Sequence, residues 1–176
     1  MAEITTNLKL NNLEHTNVEL QPTPVALSNA SNVNLTVNTH ANRLLVVPDQ
    51  TANNHAYILP TPQRAGDNYQ FVYTGPSSMQ TNVVFRMPRG LTGEETLDET
   101  TFFRGSVDLL ETRAGNATSN AVVYANSVNS SNLNVVQPEA MDLRFVSANT
   151  SCYLVSGTIT ATQGSGAGFT QAFQNH

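Results

Sequence analysis

At 176 residues with a formal net charge of −5, the chain is long enough for one domain of ordinary size and too acidic for a sequence-independent grip on nucleic-acid phosphates. Only 12% of residues are charged, and polarity comes instead from 21 Asn together with Thr and Ser, against a single lysine, Lys9. Asn favours turns and caps over helix interiors, so this bias is unusual for a helical protein and points to β-structure.

One cysteine, Cys152, excludes an intrachain disulfide and a Cys-rich zinc site. No stretch approaches the roughly 18 apolar residues of a membrane span. Met1-Ala-Glu-Ile-Thr-Thr6 has neither the basic flank nor the apolar core of a secretory signal. The expectation is a soluble chain without nucleic-acid or membrane partners.

In chain order, Ile4, Thr6, Leu8 and Leu10 alternate, as do Val18 and Leu20, until Pro22 and Pro24 interrupt. Residues 1–30 read as an extended arm with one or two edge strands, whose open N–H and C=O groups suit pairing with a neighbouring subunit as readily as with its own sheet. Val33, Leu35 and Val37 alternate with Asn34, Thr36 and Asn38, predicting a half-buried strand. Arg43 to Val47 is a short apolar run closed by Pro48-Asp49, predicting a strand covered on both faces.

The run from His55 to Gly75 reads as a hairpin, with Pro60, Pro62 and Gly66 in or beside its loop. A period of two places Tyr69, Phe71 and Tyr73 on one face. Burying each such ring contributes roughly 1.5–3 kcal/mol, so the core is expected here. Val83, Phe85 and Met87 alternate next, ending at Pro88 and Gly90.

Thr92 and Glu95 form a capping-box pattern, predicting one two-turn helix over 93–99. Phe102, Phe103, Val107, Leu109 and Leu110 return to β-type residues, with Gly105 suggesting a bulge. Further strands are predicted near 121–125, 133–137, 141–147 and 152–162. Gly164-Ser-Gly-Ala-Gly168 reads as a flexible linker carrying Phe169 and Phe173, rings that need a surface to cover them.

Short strands separated by Gly, Pro, Asn and Ser clusters predict an all-β fold. We expect a single-domain β-sandwich or jelly-roll-like barrel with extended terminal arms and at most one short helix. The expected divisions are an arm over 1–30, a body over 31–163 and a tail over 164–176. No internal repeat of roughly 20–50 residues stands out, which argues against a propeller or solenoid.

Chemical constellations are sparse. His15, His40, His55 and His176 have no metal-ligand spacing, and Glu94, Glu95, Asp98 and Glu99 read as a solvated helix face rather than a calcium loop. Asp108, Glu111, Glu139 and Asp142 are available as glycosidase carboxylates, but nothing in the sequence marks a pair. Cys152 in a strand pattern reads as a buried structural thiol. There is no nucleophile elbow, phosphate loop or dinucleotide fingerprint. The expectation is a non-enzyme with no cofactor and no metal. Arg86, Arg89 and Arg104 are the nearest approach to a basic patch and read as surface or inter-chain ion pairs. The Asn-x-Ser/Thr triplets at Asn29, Asn34, Asn116, Asn129 and Asn149 read as products of composition.

Two stretches carry a resemblance. Tyr57-Ile-Leu-Pro60, Ala65-Gly66 and Tyr69-Gln-Phe-Val-Tyr73 resemble a pattern in small β-rich capsid-associated proteins of double-stranded DNA viruses and phages. Leu143-Arg-Phe-Val146 leading to Ser151-Cys-Tyr-Leu-Val-Ser-Gly157 is similar to the closing strands of the same proteins, with Tyr153 where a Trp is common. The resemblance implies a decoration, cement or minor capsid protein on the virion surface. It also implies a homo-oligomer, with a trimer favoured, whose partners are the major capsid protein or other virion proteins. Ile4, Leu8, Leu10, Phe169 and Phe173 are the expected interface residues. The alternative expectation is a lectin-like or receptor-binding domain that grips a sugar with loops around Arg64, Asp67 and Asn68, using Tyr57 as a platform.

Overall fold

The computed structural model describes residues 23–30, 32–50, 55–75, 79, 81–87, 102–112, 118–125, 131–161 and 173–174. Among them run twelve strands and one four-residue helix. The first six strands are β1 (Val25–Ala26), β2 (Asn32–Asn34), β3 (Arg43–Val46), β4 (His55–Ile58), β5 (Asn68–Thr74) and β6 (Val83–Arg86). The other six are β7 (Phe102–Thr112), β8 (Thr118–Ala125), β9 (Asn132–Val135), β10 (Pro138–Ser147), β11 (Cys152–Ala161) and β12 (Phe173–Gln174). Helix α1 (Val37–His40) sits between β2 and β3. The expected all-β class holds.

The strands form two sheets. A seven-stranded sheet has the order β1-β3-β5-β10-β11-β7-β8, and a five-stranded sheet has the order β12-β9-β6-β4-β2. Alternation sets their inner faces. In β5, Tyr69 and Phe71 are fully buried and Tyr73 nearly so, while Asn68, Gln70 and Val72 are half-buried. Leu143 and Phe145 of β10 and Val83 and Phe85 of β6 are buried in the same rhythm. Rings then meet across the layers: Phe71 lies 4.6 Å from Phe85 and 6.0 Å from Tyr57, and Phe85 lies 5.5 Å from Phe145. Edge-on and tilted geometries of this kind add to the gain from burial alone.

The expected hairpin over His55–Gly75 is not one. β4 belongs to the five-stranded sheet and β5 to the seven-stranded sheet. The loop between them therefore crosses from one layer to the other. The reason is burial: in a hairpin Tyr57 and Phe71 would stand side by side in one layer, whereas across two layers they close on each other and both exclude water.

The same crossing recurs. β1, β3 and β5 lie parallel in one sheet, and β2, β4 and β6 lie parallel in the other. From β1 to β6 the chain thus winds between the layers like a short coil, although no sequence repeat announces it. With β11 also parallel to β7, half of the ten strand pairings among the described residues are parallel, unlike the antiparallel Greek keys of a jelly roll.

Three smaller expectations also change. Val37 opens α1 instead of extending β2, because the chain must turn there to reach the opposite sheet. His40 N–H donates to the Thr36 carbonyl at 3.0 Å, and Asn42 adopts a left-handed φ of 58° before β3 begins. β3 is covered on one face only, since Leu45 is buried while Val46 is 38% exposed. Gly105 makes no bulge: the offset between β7 and β11 is the same on both sides of it, and the β7–β8 register is unbroken. Gly105 has a φ of +120°, and a Cβ there would meet the Val155 carbonyl, so this close approach needs a glycine. The predicted helix over 93–99, and all but residues 23–30 of the arm, lie outside the described residues.

Candidate functional site

The crossing between β4 and β5 is clamped to the end of β10. Asp67 N–H donates to Ser147 Oγ at 3.0 Å, Ser147 Oγ–H donates to the Arg64 carbonyl, and Ser147 N–H donates to the Asp67 carbonyl at 2.8 Å. Arg64 Nε reaches Asp67 Oδ1 at 3.0 Å, although the Arg64 side chain is 70% exposed. Behind this clamp, Tyr153 donates to the Pro60 carbonyl at 2.9 Å, and its ring meets that of Tyr69 edge-on. Burial pushes the Tyr69 hydroxyl up to about 12, with the Asp67 carboxylate adding to the shift.

A second polar cluster braces the crossing between β3 and β4. Gln50, 1% exposed, donates through Nε2 to the Tyr57 hydroxyl at 3.2 Å, and that hydroxyl donates to the Ser28 carbonyl. His55 Nδ1 lies 2.7 Å from the Ala30 carbonyl, so Nδ1 carries a proton. Burial pushes Tyr57 up to about 12.

These placements decide several residues named from the sequence. Tyr57 has no exposed surface and presents no ring to a sugar. Asp67 is 4% exposed and committed to the clamp, and Asn68 Oδ1 accepts from Arg144 Nε at 2.9 Å. The loop built from Arg64, Asp67 and Asn68 therefore serves the fold. His40 Nδ1 accepts the Thr36 N–H, and burial lowers its pKa. Among the described residues, no group of three or more His, Cys, Asp or Glu converges as a metal site. Cys152 is buried, and burial pushes its thiol up. Arg86 and Arg104 lie in different sheets and share no patch.

Ile4, Leu8, Leu10 and Phe169 lie outside the described residues. Phe173 is described, and it stands in β12 opposite Leu133 with its ring 6.5 Å from Phe103. The surface covering that half-buried ring is this chain's own core.

The outer face of the seven-stranded sheet is organised differently. Register aligns Ala26, Val46, Val72, Asp142, Thr158, Asp108 and Val122 in one row across all seven strands. A flanking row carries Arg144 and Ser156, and Tyr124 stands opposite Ser106 on β8. A third row runs Asn68, Val146, Leu154 and Arg104. Asp108 and Asp142 stand on either side of Thr158, about 10 Å apart by strand spacing. Both point to solvent from the sheet surface, and Asp142 accepts from Gln70. Among the described residues, the large exposed apolar side chains are Val46 at 38%, Val122 at 47%, Leu154 at 49% and Tyr124 at 63%. All four belong to this face.

The sequence reading did not single them out. Val46-Val47, Val122-Val123 and Leu154-Val155 are apolar at consecutive positions, so alternation does not say which of each pair turns outward. An apolar residue in the outward phase of its strand is the available signal, and it becomes readable only once the pairing is known. Comparison of the chain with protein-family models, with curated proteins and with solved structures finds no match.

Proposed function

We propose that this chain is a non-catalytic structural protein of a virus particle. It decorates or cements the capsid, is held there by protein–protein contacts with the shell, and works as a homo-oligomer. The observation that carries the reading is the outer face of the seven-stranded sheet, where Val46, Val122, Tyr124 and Leu154 stand in water among Ser, Thr, Asn and a few charges. Apolar groups scattered through a hydrogen-bonding surface suit a broad, wet contact, in which aromatic and aliphatic anchors exclude water and polar neighbours fix the register. Asp108, Asp142, Arg104 and Arg144 on the same face supply charges of both signs for partner selection.

The test is co-sedimentation with particles banded from the source of the sequence. The chain should travel with the particle band. Val46→Lys combined with Leu154→Lys, both at exposed positions, should release it to the top of the gradient while the free chain stays folded. Absence of the wild-type chain from the particles overturns the reading, and so does retention of the double variant.

A further inference from the structure

Opposite charges sit side by side at the centre of the outer face of the seven-stranded sheet. β10 is the middle strand of the seven, and Asp142 and Arg144 are consecutive outward side chains on it, both exposed. Neither joins an ion pair among the described residues. Asp142 accepts from Gln70 Nε2 through Oδ1, and Arg144 donates through Nε to Asn68 Oδ1. Among the described residues, the second carboxylate oxygen and the two terminal guanidinium nitrogens take no further partner.

Between these two charges runs the row Phe71–Leu143–Gly157. Turning a second copy half a turn about a line above that row lays one outer face on the other and exchanges the rows on either side. Asp142 then faces Arg144 of the other copy, and Arg144 faces its Asp142. On β11, Thr158 meets Ser156 and Thr160 meets Leu154, while on β8 Val122 comes over Tyr124. Asp108 meets Ser106, so no carboxylate of this face is set against another. The face is open to such a partner, since Val122, Leu154 and Tyr124 on it are 47%, 49% and 63% exposed.

We propose that the outer face of the seven-stranded sheet packs on the same face of a second copy of this chain about that two-fold axis. Charge complementarity selects this occupant. An isologous contact requires a surface to be its own complement, and here acid and base mirror each other across one line at the sheet centre. A foreign partner requires no such symmetry. The size also fits: seven strands about 4.8 Å apart and a central strand of ten residues give a face of roughly 30 Å by 30 Å. That is close to the roughly 800 Å² each partner contributes to a stable complex. Face-to-face sheets lie about 10 Å apart, which brings the Asp142 and Arg144 side chains of the two copies within reach of each other. This inference rests on the reading of this face as an interface and assigns it to the homo-oligomer, so that a pair of copies, not one, grips the particle.

The experiment is sedimentation velocity on the full chain, without particles, over a concentration series. The expected result is a monomer–dimer equilibrium. Asp142→Arg sets arginine against arginine across the axis, and Arg144→Asp sets aspartate against aspartate. Each alone should raise the dimer Kd by about tenfold or more. Mixing the two variants pairs each arginine with an aspartate again and should bring the dimer back. Asp142→Asn with Arg144→Gln removes both charges and should also raise the Kd, which keeps the test open if a swapped chain does not fold. A monomer at every concentration overturns the proposal. A trimer does so too, because a two-fold contact through one face saturates at two copies. So does a dimer whose Kd ignores the swaps, or one that the mixture fails to restore. A chain that pairs by these rules yet is absent from particles keeps this inference and ends the capsid reading, while a chain on particles whose solution state ignores the swaps does the reverse.

Discussion

The two halves of this molecule build the same core by opposite routes. From β1 to β6 the strands are two to seven residues long, and each crosses to the other layer before the next begins. From β7 to β12 the long strands pair directly with a neighbour in sequence, as β7 with β8 and β10 with β11, each of eight residues or more. The first half depends on its crossings, and its buried polar groups gather there: Gln50 with Tyr57, and Asp67 with Ser147. The second half depends on its ladders. Its demanding positions are glycines where backbones approach closely, Gly105 against Val155 and Gly157 against Asp142. A fold can thus hold short strands in place with loops, or hold long strands in place with their own hydrogen bonds.

The sharpest way to break the comparison is to remove what both halves share. Phe71 touches Tyr57 and Phe85 from the first half and Phe145 from the second. Phe71→Ala should cost about 3–5 kcal/mol, read as a lower urea midpoint with a single transition. Separate transitions for the two halves would show that the core is not common to them.

Next come the glycines. Gly157 has a φ of +141°, and a Cβ there would press on the Asp142 carbonyl, so Gly157→Ala should cost about 2–3 kcal/mol. Gly66, in a crossing loop of the first half, has a φ of +98° with open space around it. Gly66→Ala therefore bears only the left-handed strain of about 1 kcal/mol. Thermal melts of the two variants rank ladder against loop, and equal losses would remove the distinction.

Alkaline titration probes the first half more gently. Tyr57, Tyr69 and Tyr73 all lie in β4 and β5, and burial foremost pushes each from the ordinary 10 up to about 12, with Asp49 adding to the shift at Tyr73. A raised folded value means the native state holds the proton more tightly than the unfolded chain. This contribution is complete below about pH 10 and is lost as pH rises through about 12. Tyrosinate absorbance from these three should appear together with unfolding across that window, and Tyr57→Phe should flatten the fall in urea midpoint. Ionisation of these three at pH 10 in a folded chain would refute their burial.

The smallest effect is expected at the outer face. Val122→Lys and Tyr124→Lys should each change the stability of the fold by less than about 0.5 kcal/mol in urea titrations, since neither side chain supports the core.

How much of this could be read in advance varied with the element. The burial of Tyr69, Phe71 and Tyr73 and of Val83, Phe85 and Met87 followed directly from alternation with polar or half-covered neighbours. Val46, Val122 and Leu154 were not readable, because each sits beside another apolar residue and both phases look alike. The Arg64–Asp67–Ser147 clamp was equally hidden, because Ser147 is distant in sequence from the loop it holds.

By itself the amino-acid order determined that this is a strand-built protein, and which side of β5 and β6 is inward, since a pleat turns a local period of two into a face. Which layer each strand joins and which pairs run parallel were decided only in three dimensions. The physical reason is that a strand's backbone accepts a neighbour from either direction and any distance along the chain. The choice among neighbours is made by the rings that must close on one another across the core.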